Sequence, residues 1–376
     1  MKIPFLDLAL TNSSHIKAMQ DAACQVIASG RYLRGEHTAA LEKNIATLCQ
    51  TTHCVAVSNG LDALRLILRA YIELGQLQAG DEVIVPANTY IATVLAISDN
   101  GLKPVLCDIC DDTLNLDSTL LANLITPRTR AIMPVHLYGT PCCDALLLDI
   151  ARQHNLLIIE DNAQAIGALS DVAGIHGTKA TGSLGHAGAI SFYPTKNLGA
   201  LGDAGAVTTN DSRLADAVRA LANYGSDRRY HNIYRGLNCR IDELQAAMLN
   251  VKLPALAEEN ERRARKAAAY EQAITNPLVT TPRIFANMTQ VWHQYVVRVG
   301  NGKRDAFREY LSDCGIGTDI HYATPPHRQP CYADMAQLHF PRTEALAAEA
   351  VSLPIAEHVT LDDVAAISAA INAFGG

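Results

Sequence analysis

One lysine, Lys196, sits in the run SFYPTKNLGALGDAG (191–205) with no other basic residue near it. Phe192 and Tyr193 precede it; Gly199, Gly202 and Gly205 follow. A surface lysine keeps polar helical company. An amine placed between an apolar strand and a glycine-rich turn is set into a pocket, where desolvation lowers its pKa and suits it to covalent chemistry with a carbonyl. A second stretch, IIEDNAQAIG (158–167), runs apolar residues straight into Glu160 and Asp161. A carboxylate ending a buried strand is costly unless it caps a helix, joins an ion pair or meets a cationic ligand. A third, SNGLDAL (58–64), leads a strand through Ser58, Asn59 and Gly60 into a helix, whose first backbone N–H groups make an anion site.

These three stretches need elements that bring them together. Short apolar runs at 53–58, 82–86, 103–109, 131–137, 156–161, 187–193 and 204–210 read as strands, and 61–74 and 144–155 between them read as amphipathic helices. Continuous apolar strands alternating with helices predict a mainly parallel sheet covered on both faces, with its site outside the carboxyl ends of the strands. The texture changes after 240. A helix over 240–253 restarts beyond Pro254 as a long charged helix over 255–274. An alternating strand follows over 290–299, then a helix over 303–315 ending at Gly315, and a last helix over 360–374 whose Thr360 and Asp363 come close to a capping box. The expected organisation is a large α/β domain over 1–245 and a smaller α+β domain over 246–376, with the first twenty or so residues able to pack on the smaller one.

In that sheet an anion cradle, a buried carboxylate and an isolated amine all point into one crevice. They are the three groups pyridoxal phosphate needs, for its phosphate, its ring nitrogen and its aldehyde.

The same stretches, with GDEVIVPANTYIATVLAI, NYGSDRRYHNIYRGLNCRIDELQAA and GIGTDIHYATPPHRQPCY, resemble the DegT/DnrJ/EryC1/StrS family of pyridoxal-phosphate-dependent nucleotide-sugar aminotransferases. The resemblance runs from IPFLDL (3–8) to SLPI (352–355) and is strongest to members that aminate C3 of a dTDP-linked keto-6-deoxyhexose. It implies the fold-type-I, aspartate-aminotransferase-like architecture, a homodimer with shared active sites, and L-glutamate as amino donor. It implies that Lys196 holds the cofactor covalently, Asp161 pairs with the ring nitrogen, Gln164 contacts the ring hydroxyl and Tyr90 stacks on the ring. Asn59, Gly60, Leu61 and Ser191 would hold the phosphate, with Asn238 reaching it from the other subunit. Tyr193, His321 and Tyr322 would bind the sugar. Four positions depart from the commoner pattern. Leu61 replaces a frequent threonine, as is usual in the C3 group; Asn162 replaces a frequent alanine; and Ala323 and Thr324 alter the loop after Tyr322, where sugar selectivity would lie.

Bulk properties narrow the alternatives. A net charge of −7 and a pI near 6.0 argue against a nucleic-acid surface. No apolar run reaches the length of a membrane span, and Asp7 interrupts the N-terminal apolar stretch, so a cytoplasmic enzyme is expected. The ten cysteines, including the C-x-x-C of Cys107 and Cys110 and the pair Cys142 and Cys143, show no zinc spacing; reduced thiols and no metal are expected. His136, His231, His293 and His327 receive no chemical role, and the Arg- and Tyr-rich run 226–235 is either a solvated loop or a cover over the site. Lys196 argues against a dehydratase of the same family, and its presence with Asp161 against an idle regulatory protein on the same fold. Amination at C4 of a UDP- or dTDP-linked 4-keto sugar is the competing reading.

Overall fold

The computed structural model describes residues 2–171 and 177–375. A seven-stranded sheet organises the first two thirds. Its strands are β1 (His53–Val57), β2 (Glu82–Pro86), β3 (Lys103–Cys107), β4 (Thr129–Ile132), β5 (Leu157–Asp161), β6 (Ala187–Ser191) and β7 (Gly205–Thr209), in spatial order β1-β7-β6-β5-β4-β2-β3. The pairs β6–β5, β5–β4, β4–β2 and β2–β3 are parallel, whereas β7 pairs antiparallel with both β1 and β6. Only β7 therefore runs against the rest, and β1, β2, β5 and β6 deliver their carboxyl ends to one edge.

Side-chain alternation sends each strand into two cores. Val83 and Val85 of β2 join the cluster under helices Gly60–Glu73, Ile91–Asp99 and Ser212–Leu221. Ile84, between them, joins Ile132, Ile158, Leu147 and Ile150 on the opposite face, beneath helix Ala145–Gln153. Helix Gly60–Glu73 starts where it does because the Asn59 side chain accepts the Asp62 N–H at 2.8 Å, and it stays because Leu64, Leu66, Ile67, Leu68 and Tyr71 are buried.

A second antiparallel sheet contains β8 (Val279–Thr280), β9 (Tyr295–Val299) and β10 (Ala350–Leu353), in that order. Tyr270, Tyr295, Phe307 and Ile371 pack it against helices Leu256–Ala273, Arg304–Asp313 and Leu361–Ala373. Ile3 joins this second core and pairs with Ile316. Helix Ile16–Ser29 instead packs Met19 and Val26 against Ala247 and Met248.

Several expectations change. The strand expected over 131–137 ends at Ile132, because Leu137–Gly139 turns into a 3₁₀ segment with Tyr138 at φ 61°. The strand expected over 290–299 begins only at Tyr295; Trp292 lies at φ 47°, which breaks any ladder, and Met288–Thr289 pairs elsewhere, with Leu169–Ser170. Pro254 sits in a 3₁₀ turn, Leu253–Ala255, that joins helices Glu243–Lys252 and Leu256–Ala273. The final helix carries the full capping box of Thr360 and Asp363. All ten cysteines are free thiols. No helix among the described residues is long and apolar enough to cross a membrane.

Candidate active site

At the carboxyl edge of the large sheet lies a cavity of about 510 Å³. Asn59, Gly60 and Leu61 line it from the turn after β1, Tyr90 from the turn after β2, Asp161 and Gln164 from the end of β5 and the turn beyond it, and Ser191, Tyr193 and Lys196 from the end of β6 and the turn beyond it. His321 and Tyr322 close it from the C-terminal third. Eleven of the twelve residues singled out from the sequence thus meet in one cavity. The twelfth, Asn238, lies exposed on the surface outside this wall.

The anion cradle is a close approach of two backbones. A Cβ on Gly60 would stand 2.7 Å from Ser191 Cβ, and one on Gly205 would stand 2.4 Å from the Asn59 carbonyl carbon. Glycine is required at both positions for the helix N-terminus to meet β6 and β7 this tightly. The Asn59 side chain is spent on capping, its Oδ1 accepting Asp62 N–H and its Nδ2 donating to the Asp62 carboxylate, so backbone N–H groups and Ser191 Oγ remain for an anion.

Asp161 is buried, and Thr93 Oγ1 donates to its Oδ2 at 2.8 Å while the Ala163 N–H donates to Oδ1 at 3.1 Å. Burial pushes its carboxyl above the ordinary range; those two hydrogen bonds, then the charge of Lys196, pull the other way. Burial lowers the Lys196 amine to about 8, against the opposing charge of Asp161. Both groups are short of compensating charge in a desolvated site. Glu160, next to Asp161, points elsewhere: its carboxylate meets His136 Nε2 at 2.8 Å and accepts the N–H groups of Gly182 and Gly185. His136 Nδ1 accepts the Cys142 N–H, so this pair is structural. Asn162 is fully buried and adds no hydrogen bond to Asp161.

Gln164 Nε2 donates to Tyr322 Oη at 3.0 Å, and the rings of Tyr90 and Tyr322 lie 5.6 Å apart. His321 Nδ1 meets Ser352 Oγ at 2.8 Å, and its carbonyl accepts Tyr138 Oη. The residues fit pyridoxal phosphate: an anion cradle at one end, a buried carboxylate short of a cation, and an amine held partly as the free base.

The sequence reading missed His293, Thr93, Gln294 and Thr195, which also line the cavity. His293 and Gln294 lie before β9 begins, in the segment turned out of the strand at Trp292, so no strand alternation could have aimed them here. The Arg- and Tyr-rich run forms an exposed hairpin, Ser226–Arg228 with His231–Asn232, and does not line this cavity. His231 contacts Asp227 within that hairpin, and buried His327 contacts Glu344.

A family model described as the DegT/DnrJ/EryC1/StrS aminotransferase family matches residues 14–372. The chain is 46% identical over 373 residues, 99% of each sequence, to the dTDP-3-amino-3,6-dideoxy-alpha-D-galactopyranose transaminase of Aneurinibacillus thermoaerophilus. It is similar to the crystal structure of DesV of S. venezuelae in complex with a ketimine intermediate, with TM-score 0.93, 40% identity, and 99% and 98% of the two chains covered. It is also similar to NtdA of Bacillus subtilis with bound cofactor PMP, with TM-score 0.89, 28% identity, and 99% and 85% covered.

Proposed function

The chain belongs to the DegT/DnrJ/EryC1/StrS aminotransferase family, and from that premise we propose that it transfers an amino group to C3 of a dTDP-linked 3-keto-6-deoxyhexose. It is a pyridoxal-phosphate-dependent aminotransferase. The observation that carries the reading is the convergence of Lys196, Asp161 and the N-terminus of helix Gly60–Glu73 on one cavity. The likeness to a dTDP-3-amino-sugar transaminase supports C3 and the dTDP group.

Bound in this cavity, pyridoxal phosphate supplies an electrophilic carbon for an amine and a sink for the electron pair left when a C–H bond breaks. The turn 59–61 and Ser191 Oγ bind the phosphate and fix the depth of the ring. Asp161, held by Thr93 and the Ala163 amide, keeps a proton on the ring nitrogen, and that cation relieves its own burial. Tyr90 would cover a ring face and Gln164 would reach the ring oxygen. Lys196 would hold the cofactor, and its amine, lowered to about 8 by burial, would be placed to move a proton at the donor Cα. Tyr193, His321 and Tyr322, which line the same cavity, are the proposed sugar-binding residues. L-glutamate is the proposed donor, a homodimer sharing its sites the proposed assembly, and the cytoplasm the proposed compartment. Residues 1–245 and 246–376 are the proposed domains.

The test is product analysis. Purified protein with pyridoxal phosphate and L-glutamate is given dTDP-3-keto-6-deoxyhexose in both C4 epimers, and dTDP- and UDP-4-keto-6-deoxy sugars in parallel. Amine at C3 of one 3-keto epimer is expected. Amine formed only from a 4-keto sugar would replace the C3 reading with its C4 alternative.

A further inference from the structure

Behind the catalytic cavity is a second one, of about 350 Å³. Thr195, His293, Gln294 and His321 line both, so the two cavities share a wall. The second cavity has a residue the first lacks: Arg263, from helix Leu256–Ala273, in its wall. Arg263 is 5% exposed, and its one hydrogen bond is from Nη1 to the Trp292 carbonyl at 3.3 Å. Among the described residues no carboxylate stands within ion-pair reach of it. The two acids nearest in charge each meet another group, Glu357 through Oε2 with Arg262 Nε at 2.7 Å and Glu259 with His15 Nε2 at 3.0 Å; the other Glu357 oxygen is buried without a hydrogen bond, and its charge only partly offsets the burial of Arg263. Asp319 also lines this cavity, but its carboxylate is more than half exposed. A buried guanidinium with four N–H groups unspent is costly unless an anion meets it, and its planar fork matches a carboxylate.

The neighbouring acceptor is fixed by geometry. Asn260 Nδ2 donates to the Ile166 carbonyl at 3.2 Å, which turns its Oδ1 toward Asn197. Asn197 Nδ2 donates to that oxygen and to the Val291 carbonyl, both at 2.8 Å, which turns its own Oδ1 toward His293. His293 Nδ1, 3.1 Å away, must then carry the hydrogen, and Nε2 keeps its lone pair. Burial first, then the charges of Lys196 and Arg263, hold this imidazole neutral. Because the carbonyl that anchors Arg263 belongs to residue 292, the cation and the acceptor are held side by side.

We propose that the second cavity is the amino-donor subsite, in which Arg263 takes the carboxylate of an α-amino acid and His293 Nε2 accepts from its ammonium. This rests on the aminotransferase reading of the same site and names the residues that admit its second substrate. Arg263 and His293 set one cation beside one neutral acceptor, the complement of a zwitterion, while His321, shared with the first cavity, marks the side on which the sugar site adjoins.

The two half-reactions of the holoenzyme separate the subsite from the rest of the site. Absorbance changes are followed with L-glutamate as amine and, separately, with the dTDP-3-amino-6-deoxyhexose product as amine. R263Q should raise the half-saturating glutamate concentration by at least about 30-fold, while the sugar half-reaction stays within about threefold. R263K, which keeps the charge but not the fork, should fall between and covers the case of R263Q failing to fold. Equal losses in both halves, or R263Q and R263K indistinguishable from wild type with glutamate, would overturn the subsite. Wild-type holoenzyme that responds to no amino acid and no amino-sugar would instead remove the reading beneath it.

Discussion

Lys196 and Asp161 are each pushed toward their neutral forms by the same desolvation. For Lys196 this sets a pH window. With its amine at about 8, about a tenth is free base at pH 7 and about half at pH 8. Capture of pyridoxal phosphate by cofactor-stripped protein should therefore speed up through pH 8 and level off above pH 9. A rate flat from pH 6 to 9, or a midpoint near that of an ordinary lysine, would contradict the burial argument. Lys196→Ala should leave no adduct that borohydride can fix to the chain. Asp161→Asn separates fold from chemistry in the other direction. An amide keeps the shape and the Thr93 hydrogen bond but cannot hold a proton on a ring nitrogen. Turnover should drop by about 10²–10³-fold. The melting temperature should hold or rise, because a carboxyl raised by burial costs the fold something in its ionised form. Full activity in this variant would mean that the ring nitrogen has another partner. At this scale the sequence was most legible where a residue type was out of place for its surroundings, as Lys196 and Asp161 are. It was silent on Arg263, one of three arginines on a charged helix, which is buried only once distant segments, the one around Trp292 among them, pack over it.

Helix Glu243–Lys252 is the element that steadies the lysine loop. Gln245 Oε1 accepts the Leu201 N–H at 2.9 Å, and Lys252 Nζ donates to the Gly199 carbonyl at 2.7 Å. The helix is itself tied down at its first residue: the buried Glu243 carboxylate accepts the Gly35 N–H at 2.8 Å, the His37 N–H at 2.6 Å and the Thr38 hydroxyl, joining it to the start of helix Glu36–Leu48. Burial alone would raise this carboxyl, but the hydrogen bonds from Thr38, Gly35 and His37 outweigh it and hold it below the ordinary range. Glu243→Gln should cost about 2 kcal/mol at pH 7, the worth of a charge-assisted bond in a buried site. The sign of the pH dependence follows from the depression. The contribution is complete above the unfolded carboxyl pKa of about 4.3 and fades as pH falls through the lower folded value. Urea melts at pH 7 and pH 3 should show the gap between wild type and variant shrinking in acid; a gap that widens would contradict the assignment. Strands were legible as elements because each apolar run ended at a turn residue. The stretch 131–137 was not, since its apolar pattern continues past Ile132 while Tyr138 turns left-handed to place its amide on Gln164 and its hydroxyl on His321. Local pattern yields there to a contact made across the fold.

Over the whole molecule, one segment gathers exposed apolar side chains outside its own cavity. Residues 224–238 expose Tyr224, Tyr230, Ile233 and Leu237, with Tyr230 at 88%, and carry Asn238 on the same outer stretch. Apolar side chains exposed together are costly in a monomer and fit a covered face. The resemblance assigned Asn238 to the phosphate of a neighbouring subunit, and its position away from its own cavity suits that assignment. A two-fold dimer would then build each site from Lys196 of one chain and Asn238 of the other. This can be tested by complementation. Lys196→Ala lacks the amine but keeps Asn238; Asn238→Asp keeps the amine but sets a negative charge against a phosphate. Each homodimer should be nearly inactive. Unfolded together and refolded, the two should form mixed dimers with one intact and one doubly damaged site, and statistical mixing should restore about a quarter of wild-type activity. Recovery requires chain exchange, so two preparations mixed without unfolding supply the control. No recovery from fully exchanged dimers would place both residues in the same subunit's site, and the exposed segment 224–238 would then need another partner.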